Sequence, residues 1–276
     1  MTDQYAVFGN PIAHSKSPHI HRQFAEQTAQ DMSYTRQLIA EDGFENAANE
    51  FFQQGGKGLN VTVPFKLDAY SFAGRLTQRA RRAGAVNTLA LQSDGVVLGD
   101  NTDGIGMIHD MHNLGWVLRG KRVLILGAGG AVRGVLQPLL EEEPAYVIIA
   151  NRTLHKAEQL AKGFHDAGDV RASSYQDLAG QKVDIVINGT SASLSNELVP
   201  LPDDLLAEGA CCYDMMYGAE PTVFLQWAQK HGAAEIADGL GMLVGQAAES
   251  FYLWRQIRPE VMPVINAIRR QLNEKK

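Results

Sequence analysis

One sequence feature limits the possible folds of this chain more than any other. It is a short apolar run, followed by a glycine-rich turn and then a segment of helical period. Arg122–Leu126 has the composition of a buried strand, and residues 132–140 have that of a helix. Glycines between them permit a tight reversal, and the start of the helix offers unpaired N–H donors to a pyrophosphate. The pattern predicts a dinucleotide-binding turn made of Gly127, Ala128, Gly129, Gly130 and Ala131.

Two residues depart from the usual dinucleotide-binding pattern. Val132 occupies the third glycine position of G-x-G-x-x-G, and Pro138 lies inside the predicted helix, where it removes one backbone hydrogen bond. A glycine-rich turn also serves as a tight connection that binds nothing. The turn alone leaves both interpretations open.

The end of the next predicted strand, Tyr146–Ala150, indicates which dinucleotide binds. An Asp or Glu here would bind the ribose 2′-hydroxyl and repel a 2′-phosphate. The chain has Arg152 instead, and Lys156 follows one helical turn later. These charges favour NADP over NAD, with Asn151 and Thr153 completing the predicted site. The alternative is that they are solvated residues at the start of a helix.

Composition and charge exclude several classes of partner. A formal net charge of −6 offers no basic surface to a phosphate backbone, and no apolar stretch approaches the roughly 18 residues of a membrane span. We therefore expect no nucleic-acid and no membrane partner. The N-terminal residues show no basic leader or processing site, which favours a cytoplasmic location. Cys211 and Cys212 are neighbours in an apolar run, which favours reduced thiols over a disulfide or a metal pair.

Short apolar runs bounded by Gly, Asn or Pro alternate along the chain with longer segments of helical period. This alternation predicts an α/β fold with a mainly parallel sheet. We expect two α/β domains, an N-terminal substrate-binding domain with a mainly parallel sheet and a Rossmann-type NADP-binding domain. We predict domains of 1–103 with 243–276 and of 104–242, separated by a cleft that holds the site. The strand candidates are residues 5–8, 33–38, 58–63, 88–92, 96–98, 122–126 and 146–150.

One polar segment of the first domain contains Ser15 and Ser17 between a predicted strand and a predicted helix. Ser before Pro is a common helix start, so we predict that Ser17 is the N-cap of a helix beginning at Pro18. A serine hydroxyl can accept the capping hydrogen bond and still donate to a ligand carboxylate near the same helix terminus.

Two further polar segments follow in the first domain. Asn60 and Thr62 alternate with apolar residues at a predicted strand end, which directs both to one side, and Lys66 lies in the next turn. Asp103 lies at the domain junction, with Asn87 upstream. Because Asn, Asp and Gly also cluster in turns for local backbone reasons, none of these segments alone establishes a site.

The motifs HSKSP, NVTVPFK, AVNT, GDNTDG, GAGGA, NRT and NGTS occur in this order across nearly the whole chain. Together they closely resemble the shikimate dehydrogenase family. That resemblance implies reversible NADPH-dependent reduction of 3-dehydroshikimate to shikimate, a step in aromatic amino acid biosynthesis. The implied catalytic pair is Lys66 and Asp103.

The resemblance also implies the remaining site residues. It assigns the substrate carboxylate to Ser15 and Ser17, and the nicotinamide to the neighbourhood of Thr190, Met215 and Gly239. Asp103 is also implied to bind a ring hydroxyl. The other residues implied to contact or lie close to the substrate are Asn60, Thr62, Asn87, Tyr217 and Gln246.

The chemistry of the implied pair suits a ketone reduction, in which charge develops on the carbonyl oxygen and must be stabilised and protonated. The ammonium of Lys66 can donate a charge-assisted hydrogen bond and a proton, and Asp103 can orient it. No metal-ligand set is evident, since His109 and His112 lack a third ligand and His19 and His21 lack metal spacing, so we expect no metal.

Two alternatives to this function remain at the level of sequence. One is a quinate/shikimate dehydrogenase with broader substrate use or NAD preference, against which Arg152 and Lys156 argue. The other is a catalytically silent NADP-binding module, which has no need of Lys66 and Asp103.

The expected partners are the small-molecule substrate alone or, in a homodimer, a second copy of the chain. The basic residues Arg75, Arg79, Arg81 and Arg82 are predicted to form a solvated helix face.

Overall fold

A computed structural model describes residues 2–274, apart from the side chain of Leu194, and divides the chain into two compact units. The first unit comprises Met1–Gly106 and Leu243–Asn266, and the second comprises Met107–Met242 and Ala267–Lys276. The predicted domains divided the chain after residues 103 and 242 and kept all of 243–276 in the first domain. The assignment of substrate to one domain and cofactor to the other stays a prediction.

The first unit contains a six-stranded mixed sheet. Its strands are β1 (Asp3–Gly9), β2 (Met32–Leu38), β3 (Gly56–Val61), β4 (Arg75–Leu76), β5 (Thr88–Leu91) and β6 (Val97–Asp100). They lie in the order β2-β1-β3-β5-β6-β4. β1 is parallel to β2 and β3, and β4 is parallel to β6, whereas β5 is antiparallel to both β3 and β6. The β5/β6 pair is antiparallel because these strands form a hairpin, whose turn includes Gly95 at φ +82°.

The second unit contains a six-stranded sheet that is parallel throughout. Its strands are β7 (Arg122–Leu126), β8 (Tyr146–Ala150), β9 (Val170–Ser173), β10 (Val183–Asn188), β11 (Leu206–Asp214) and β12 (Glu235–Asp238). The order β12-β11-β10-β7-β8-β9 reverses direction between β7 and β10. In open parallel sheets, ligands bind beyond the carboxyl ends of the strands at this reversal. The predicted α/β fold class is confirmed.

Helices connect the strands of both sheets. They are α1 (Ser17–Gln27), α2 (Phe44–Gln53), α3 (Lys66–Phe72), α4 (Gln78–Ala83), α5 (Asp103–Asn113), α6 (Gly130–Glu141), α7 (Leu154–Lys162), α8 (Val223–Lys230), α9 (Leu240–Arg255) and α10 (Met262–Asn273). The unit boundaries fall inside α5, α9 and α10. Among the described residues, no helix has the length and apolar content needed to cross a bilayer.

The inner strands β7 and β8 of the second sheet are apolar on both faces. Along β7, Val123 and Ile125 belong to one buried cluster, and Leu124 and Leu126 belong to another. A parallel strand covered on both sides has no polar face, which explains its unbroken apolar sequence. For this reason, the predicted bounds of β7 and β8 are confirmed to the residue.

The predicted end of β3 was wrong by two residues, because the chain turns earlier than its alternating sequence indicates. The Phe65 N–H donates to the carbonyl oxygen of Thr62, and Pro64 between them has no N–H for a strand ladder. Thr62 is held beside β1 by a hydrogen bond from its N–H to the Phe8 carbonyl oxygen. The turn brings Lys66 to the start of α3.

Candidate active site

The amine of Lys66 and the carboxylate of Asp103 lie in direct contact in the first unit. Lys66 begins α3 and Asp103 begins α5. Nζ of Lys66 lies 2.5 Å from Oδ2 of Asp103, with the two side chains 31% and 16% exposed. The N-terminus of α5 favours a negative charge at Asp103, and the ion pair strengthens the hydrogen bond. The Lys66 amine is thus held at a partly open position.

Asn87 donates a hydrogen bond to the second oxygen of the same carboxylate. Its Nδ2 donates to Oδ1 of Asp103 at 2.9 Å, and its Oδ1 accepts from the main-chain N–H of Thr102 at 2.9 Å. A main-chain N–H can only donate, so the Asn87 amide has one orientation, with its NH₂ towards Asp103. Asp103 therefore receives hydrogen bonds on both oxygens, from Asn87 and from Lys66.

Gln246 reaches this cluster because α5 and α9 approach each other closely at glycine. A Cβ on Gly106 would lie 2.4 Å from the main-chain nitrogen of Gln246, and one on Gly245 would lie 2.7 Å from the Gly106 carbonyl oxygen. Oε1 of Gln246 lies 3.4 Å from Nδ2 of Asn87. The sequence analysis missed Gly106 and Gly245, whose role depends on a contact between residues distant in sequence.

The segment with Ser15 and Ser17 starts a helix one residue earlier than predicted. Ser17 has a helical backbone and is the first residue of α1. Lys16 therefore occupies the N-cap position, and its side chain makes no capping hydrogen bond. The predicted N-cap role of Ser17 is therefore wrong. Instead, Oγ of Ser15 accepts from the Ser17 N–H at 3.3 Å. The hydroxyls of both serines lie at the start of α1 and are partly exposed.

Thr62 lies against the end of β1, where Gly9 makes room for it. A Cβ on Gly9 would lie 2.4 Å from Cγ2 of Thr62. The N–H of Asn10 donates to the carbonyl oxygen of Val63, which joins the two strand ends. The serine segment and the Thr62 turn therefore leave the sheet side by side.

Asn60 is nearly buried, at 6% exposed, and its amide is hydrogen-bonded within the unit. Its Oδ1 accepts from the hydroxyl of Tyr34 and lies 3.1 Å from Nε2 of His21, and its Nδ2 donates to Oγ of Ser250. The predicted contact of Asn60 with a ring hydroxyl stays a prediction. His21 and Tyr34 were not identified as site residues from the sequence.

In the second unit, the glycine-rich turn follows β7 at the reversal of strand order. Gly127 has φ +102°, and its N–H donates to the carbonyl oxygen of Ala150. Gly129 and Gly130 differ from it, because neither has a positive φ and a Cβ on either would meet no atom within 4 Å. The fold does not itself require glycine at these two positions. The open space fits a group that approaches the backbone, such as a pyrophosphate at the start of α6.

Val132 takes the third glycine position without disturbing the turn, because a second glycine compensates. Val132 is fully buried in α6. A Cβ on Gly189, after β10, would lie 2.5 Å from Cγ2 of Val132. Gly189 is therefore the small residue that allows α6 to pack closely here.

Arg152 and Lys156 are exposed at the start of α7, beyond the end of β8. Within residues 2–274, neither forms an ion pair. Asn151 orders this segment by donating from Nδ2 to the carbonyl oxygen of Thr153. Two positive side chains without an ion-pair partner, on one ordered turn, are suited to bind the additional 2′-phosphate of a dinucleotide.

Thr190, Met215 and Gly239 converge at the carboxyl ends of β10, β11 and β12. The N–H of Met215 donates to the Asn188 carbonyl oxygen, and Oγ1 of Thr190 donates to the Asn188 side chain at 2.7 Å. A Cβ on Gly239 would lie 2.1 Å from the Met215 carbonyl oxygen. The structure thus brings these three predicted cofactor residues together.

Tyr217 belongs to the second unit and follows Met215 in the segment after β11. Burial, and then the charge of Asp238, raise the pKa of its hydroxyl. Arg269 of α10 holds this segment, since it donates to the carbonyl oxygen of Gly218 at 2.8 Å and to Oδ1 of Asp238 at 2.5 Å. The sequence analysis missed Arg269.

Comparison with known proteins identifies the family. Models of the shikimate dehydrogenase substrate binding domain, of shikimate / quinate 5-dehydrogenase and of the shikimate 5′-dehydrogenase C-terminal domain match residues 7–89, 111–197 and 239–269. A shikimate dehydrogenase (NADP(+)) of Cellvibrio japonicus is 72% identical over 276 residues, which cover 100% of both chains. This chain belongs to the shikimate dehydrogenase family.

Solved structures agree with this membership. A shikimate 5-dehydrogenase of Thermus thermophilus, in complex with NADP(H) and shikimate, is 32% identical with a TM-score of 0.87, covering 98% of this chain and 100% of that one. An Ael1 enzyme of Pseudomonas putida is 46% identical with a TM-score of 0.92, covering 98% of each chain. The family resemblance stated from the sequence motifs is confirmed.

The prediction that the arginine cluster of this family member is a solvated face was wrong for Arg79. Its guanidinium donates to both carboxylate oxygens of Asp100 and to Oε1 of Glu249, and Asp100 is fully buried. Burial alone would lower the pKa of Arg79, but the hydrogen bonds and charge of its partners raise it. Arg75, in contrast, pairs with Asp94 at the surface.

Replacing Arg79 with methionine is expected to lower the free energy of unfolding by about 3–5 kcal/mol, because it leaves the buried charge of Asp100 without its partner. Arg75→Met is the matched control and should cost at most about 1 kcal/mol, since its pair with Asp94 is exposed. Urea denaturation of both variants measures the two values. Equal losses would contradict a buried role for Arg79.

The histidines considered for metal binding have other contacts. Nε2 of His112 lies 2.9 Å from Oε2 of Glu142, and His19 lies within hydrogen-bonding distance of Arg22 and Gln23. Across residues 2–274, no three His, Cys, Asp or Glu side chains are grouped as a metal site. The expected absence of a metal stays a prediction.

Proposed function

We propose that this chain is an NADP-dependent shikimate dehydrogenase that interconverts 3-dehydroshikimate and shikimate, with Lys66 and Asp103 as its catalytic pair. The 2.5 Å contact between the Lys66 ammonium and the Asp103 carboxylate carries the proposal. The family relatives named for this activity, with NADP(+), support the reaction and the cofactor. The reaction is a step in aromatic amino acid biosynthesis.

Lys66 performs the proton chemistry. NADPH, when bound, supplies the hydride to the ketone carbon. The Lys66 ammonium donates a hydrogen bond to the ketone oxygen, stabilises the developing negative charge and delivers the proton. In the oxidative direction, the neutral amine accepts the hydroxyl proton. Asp103 orients the amine and offsets its charge, and Asn87 fixes the carboxylate in turn.

The proposal assigns the substrate carboxylate and ring hydroxyls to further polar residues. Ser15 and Ser17 bind the carboxylate at the start of α1, where the N–H groups of the helix favour an anion. Asp103 binds a ring hydroxyl in addition to its catalytic role. The side chains proposed to complete the substrate contacts are Asn60, Thr62, Asn87, Tyr217 and Gln246.

The cofactor residues of the proposal all lie in the second unit. The open space at Gly129 and Gly130 fits the pyrophosphate, and the backbone of Gly127, Ala128 and Ala131 is proposed to complete this part of the site. Asn151, Arg152, Thr153 and Lys156 form the site for the 2′-phosphate. Thr190, Met215 and Gly239 form the nicotinamide end. A cytoplasmic location, and a monomeric or homodimeric state, are further expectations.

Steady-state assays with shikimate and with quinate, each with NADP⁺ and with NAD⁺, test the proposal. We expect the largest kcat/KM for shikimate with NADP⁺, followed through the absorbance of reduced nicotinamide. A comparable kcat/KM for quinate would favour the quinate/shikimate alternative. Failure to reduce either cofactor with shikimate would reject the function itself.

A further inference from the structure

A buried histidine, His21, lies beside the substrate segment with half of its hydrogen-bonding capacity unused. Its ring is fully buried, stacks on Tyr34 at 4.2 Å between centroids and meets Phe24 edge-on. In the described part of the chain, Nδ1 has no hydrogen-bond partner, which is unfavourable for a buried acceptor. A phenylalanine would fill the same space without that cost. The hydrogen bond of Nε2 is therefore what only histidine supplies here.

The orientation of the Asn60 amide follows from its neighbours. The main-chain carbonyl of Asn87 can only accept, so the Asn60 NH₂ faces it, at 3.3 Å, and Oδ1 faces the opposite way. Oδ1 accepts from the Tyr34 hydroxyl at 2.6 Å and from Nε2 of His21 at 3.1 Å. Burial lowers the pKa of His21 to about 3, partly offset by the hydrogen bond with Asn60, so the ring is neutral at neutral pH and carries its proton on Nε2.

The orientation of Asn60 is passed on to the carboxylate of the catalytic pair. Its NH₂ donates to Oγ1 of Thr88 at 3.1 Å, and the Thr88 hydroxyl lies within hydrogen-bonding distance of both Oδ1 of Asn87, at 2.9 Å, and Oγ of Ser250, at 2.8 Å. Together with the Thr102 N–H, the bond from this hydroxyl holds Oδ1 of Asn87 in place, and the Asn87 NH₂ faces Oδ1 of Asp103. A reversed Asn60 amide would present an acceptor to Thr88 and draw its hydroxyl proton away from Asn87.

We propose that His21 and Tyr34 are positioning residues of this active site, which act through Asn60 to hold the carboxylate of Asp103 in place. The inference rests on the proposed function. Because both donate to the same oxygen of Asn60, either one satisfies that buried acceptor and keeps the amide in place. Their loss is therefore expected to be strongly non-additive.

Single and double replacements test the non-additivity. His21→Phe and Tyr34→Phe each remove one donor and keep the ring, and each should lower kcat by less than about threefold. The double variant leaves Oδ1 of Asn60 without a donor, and kcat should fall by about tenfold or more. The KM for NADP⁺ should stay within about twofold of wild type, because the proposed cofactor residues lie in the second unit.

A matched exchange separates the hydrogen bond from the packing. In the Tyr34→Phe background, His21→Gln restores a donor near the position of Nε2 but loses the aromatic ring, whereas His21→Phe keeps a ring and has no donor. We expect the Gln variant to have the higher kcat and the lower melting temperature. A purely structural role predicts that kcat follows the melting temperature instead.

The possible outcomes separate this inference from the proposed function. No shikimate oxidation by the wild type rejects the function. An active wild type with a double variant of nearly unchanged kcat overturns the inference alone. If the double variant does not fold, Thr88→Val breaks the same chain at another bond, and retention of wild-type kcat by that variant would overturn the inference equally.

Discussion

Replacing Lys66 with alanine is expected to lower kcat by about 100- to 10,000-fold, the usual contribution of a positioned acid–base group. The amine supplies both the hydrogen bond to the reacting oxygen and the proton, and Asp103, the nearest other polar group, is an acceptor when ionised. Affinity for NADPH should stay nearly unchanged, since the residues proposed to bind it lie in the second unit. Steady-state kinetics and a fluorescence titration of NADPH measure the two quantities.

Two further variants complete this experiment. Lys66→Met keeps the aliphatic stem and should be as inactive as Lys66→Ala, which separates loss of charge from loss of packing. Lys57→Ala removes an exposed lysine from β3 of the same unit and should retain wild-type kcat. A Lys66→Ala enzyme that keeps most of its turnover would end the assignment of Lys66 as acid–base residue.

Replacing Arg152 with aspartate is expected to weaken NADPH binding at least about 10- to 100-fold, the equivalent of one charge-assisted hydrogen bond of about 1.5–3 kcal/mol. The carboxylate would also repel the 2′-phosphate, as acidic residues at this strand end do in NAD-binding sites. NADH binding should change little, because NADH has no phosphate there. Binding titrations with both reduced cofactors measure the change in preference.

The control for this charge reversal is Arg119→Asp, at an exposed arginine of the same unit that pairs with Glu143. It changes the net charge by the same amount and should leave the ratio of NADPH to NADH affinity as in wild type. Lys156→Ala should weaken NADPH binding in the same direction as Arg152→Asp, but less. Equal weakening of NADPH and NADH by Arg152→Asp would remove the argument for a 2′-phosphate site.

The sequence predicts β7 and β8 of the second sheet well because local composition and tertiary environment agree there. β7 and β8 are covered on both faces, so their apolar runs begin and end with the strands themselves. The end of β3 and the start of α1 were each misplaced by one or two residues, since their bounds depend on hydrogen bonds such as that from Phe65 to Thr62.

The residues that sequence reasoning missed act through partners distant in the chain. Arg79 resembles its neighbours in the same basic run, and only the buried Asp100 distinguishes it. His21 lies 39 residues from Asn60 along the chain, and no local pattern marks their contact. The motifs of the family resemblance identified Lys66 and Asp103 as a pair, whereas the orientation of Asn87 towards Asp103 required the structure.

Because there is open space beside Gly129 and Gly130, selection for folding and selection for activity should give different results at these positions. A library randomised at these positions and screened only for soluble expression should tolerate many side chains, because none meets a neighbouring atom at Cβ. The same library placed in cells that must make their own aromatic amino acids should return almost only glycine. Thermostability engineering guided by folding alone would therefore accept substitutions here that abolish growth.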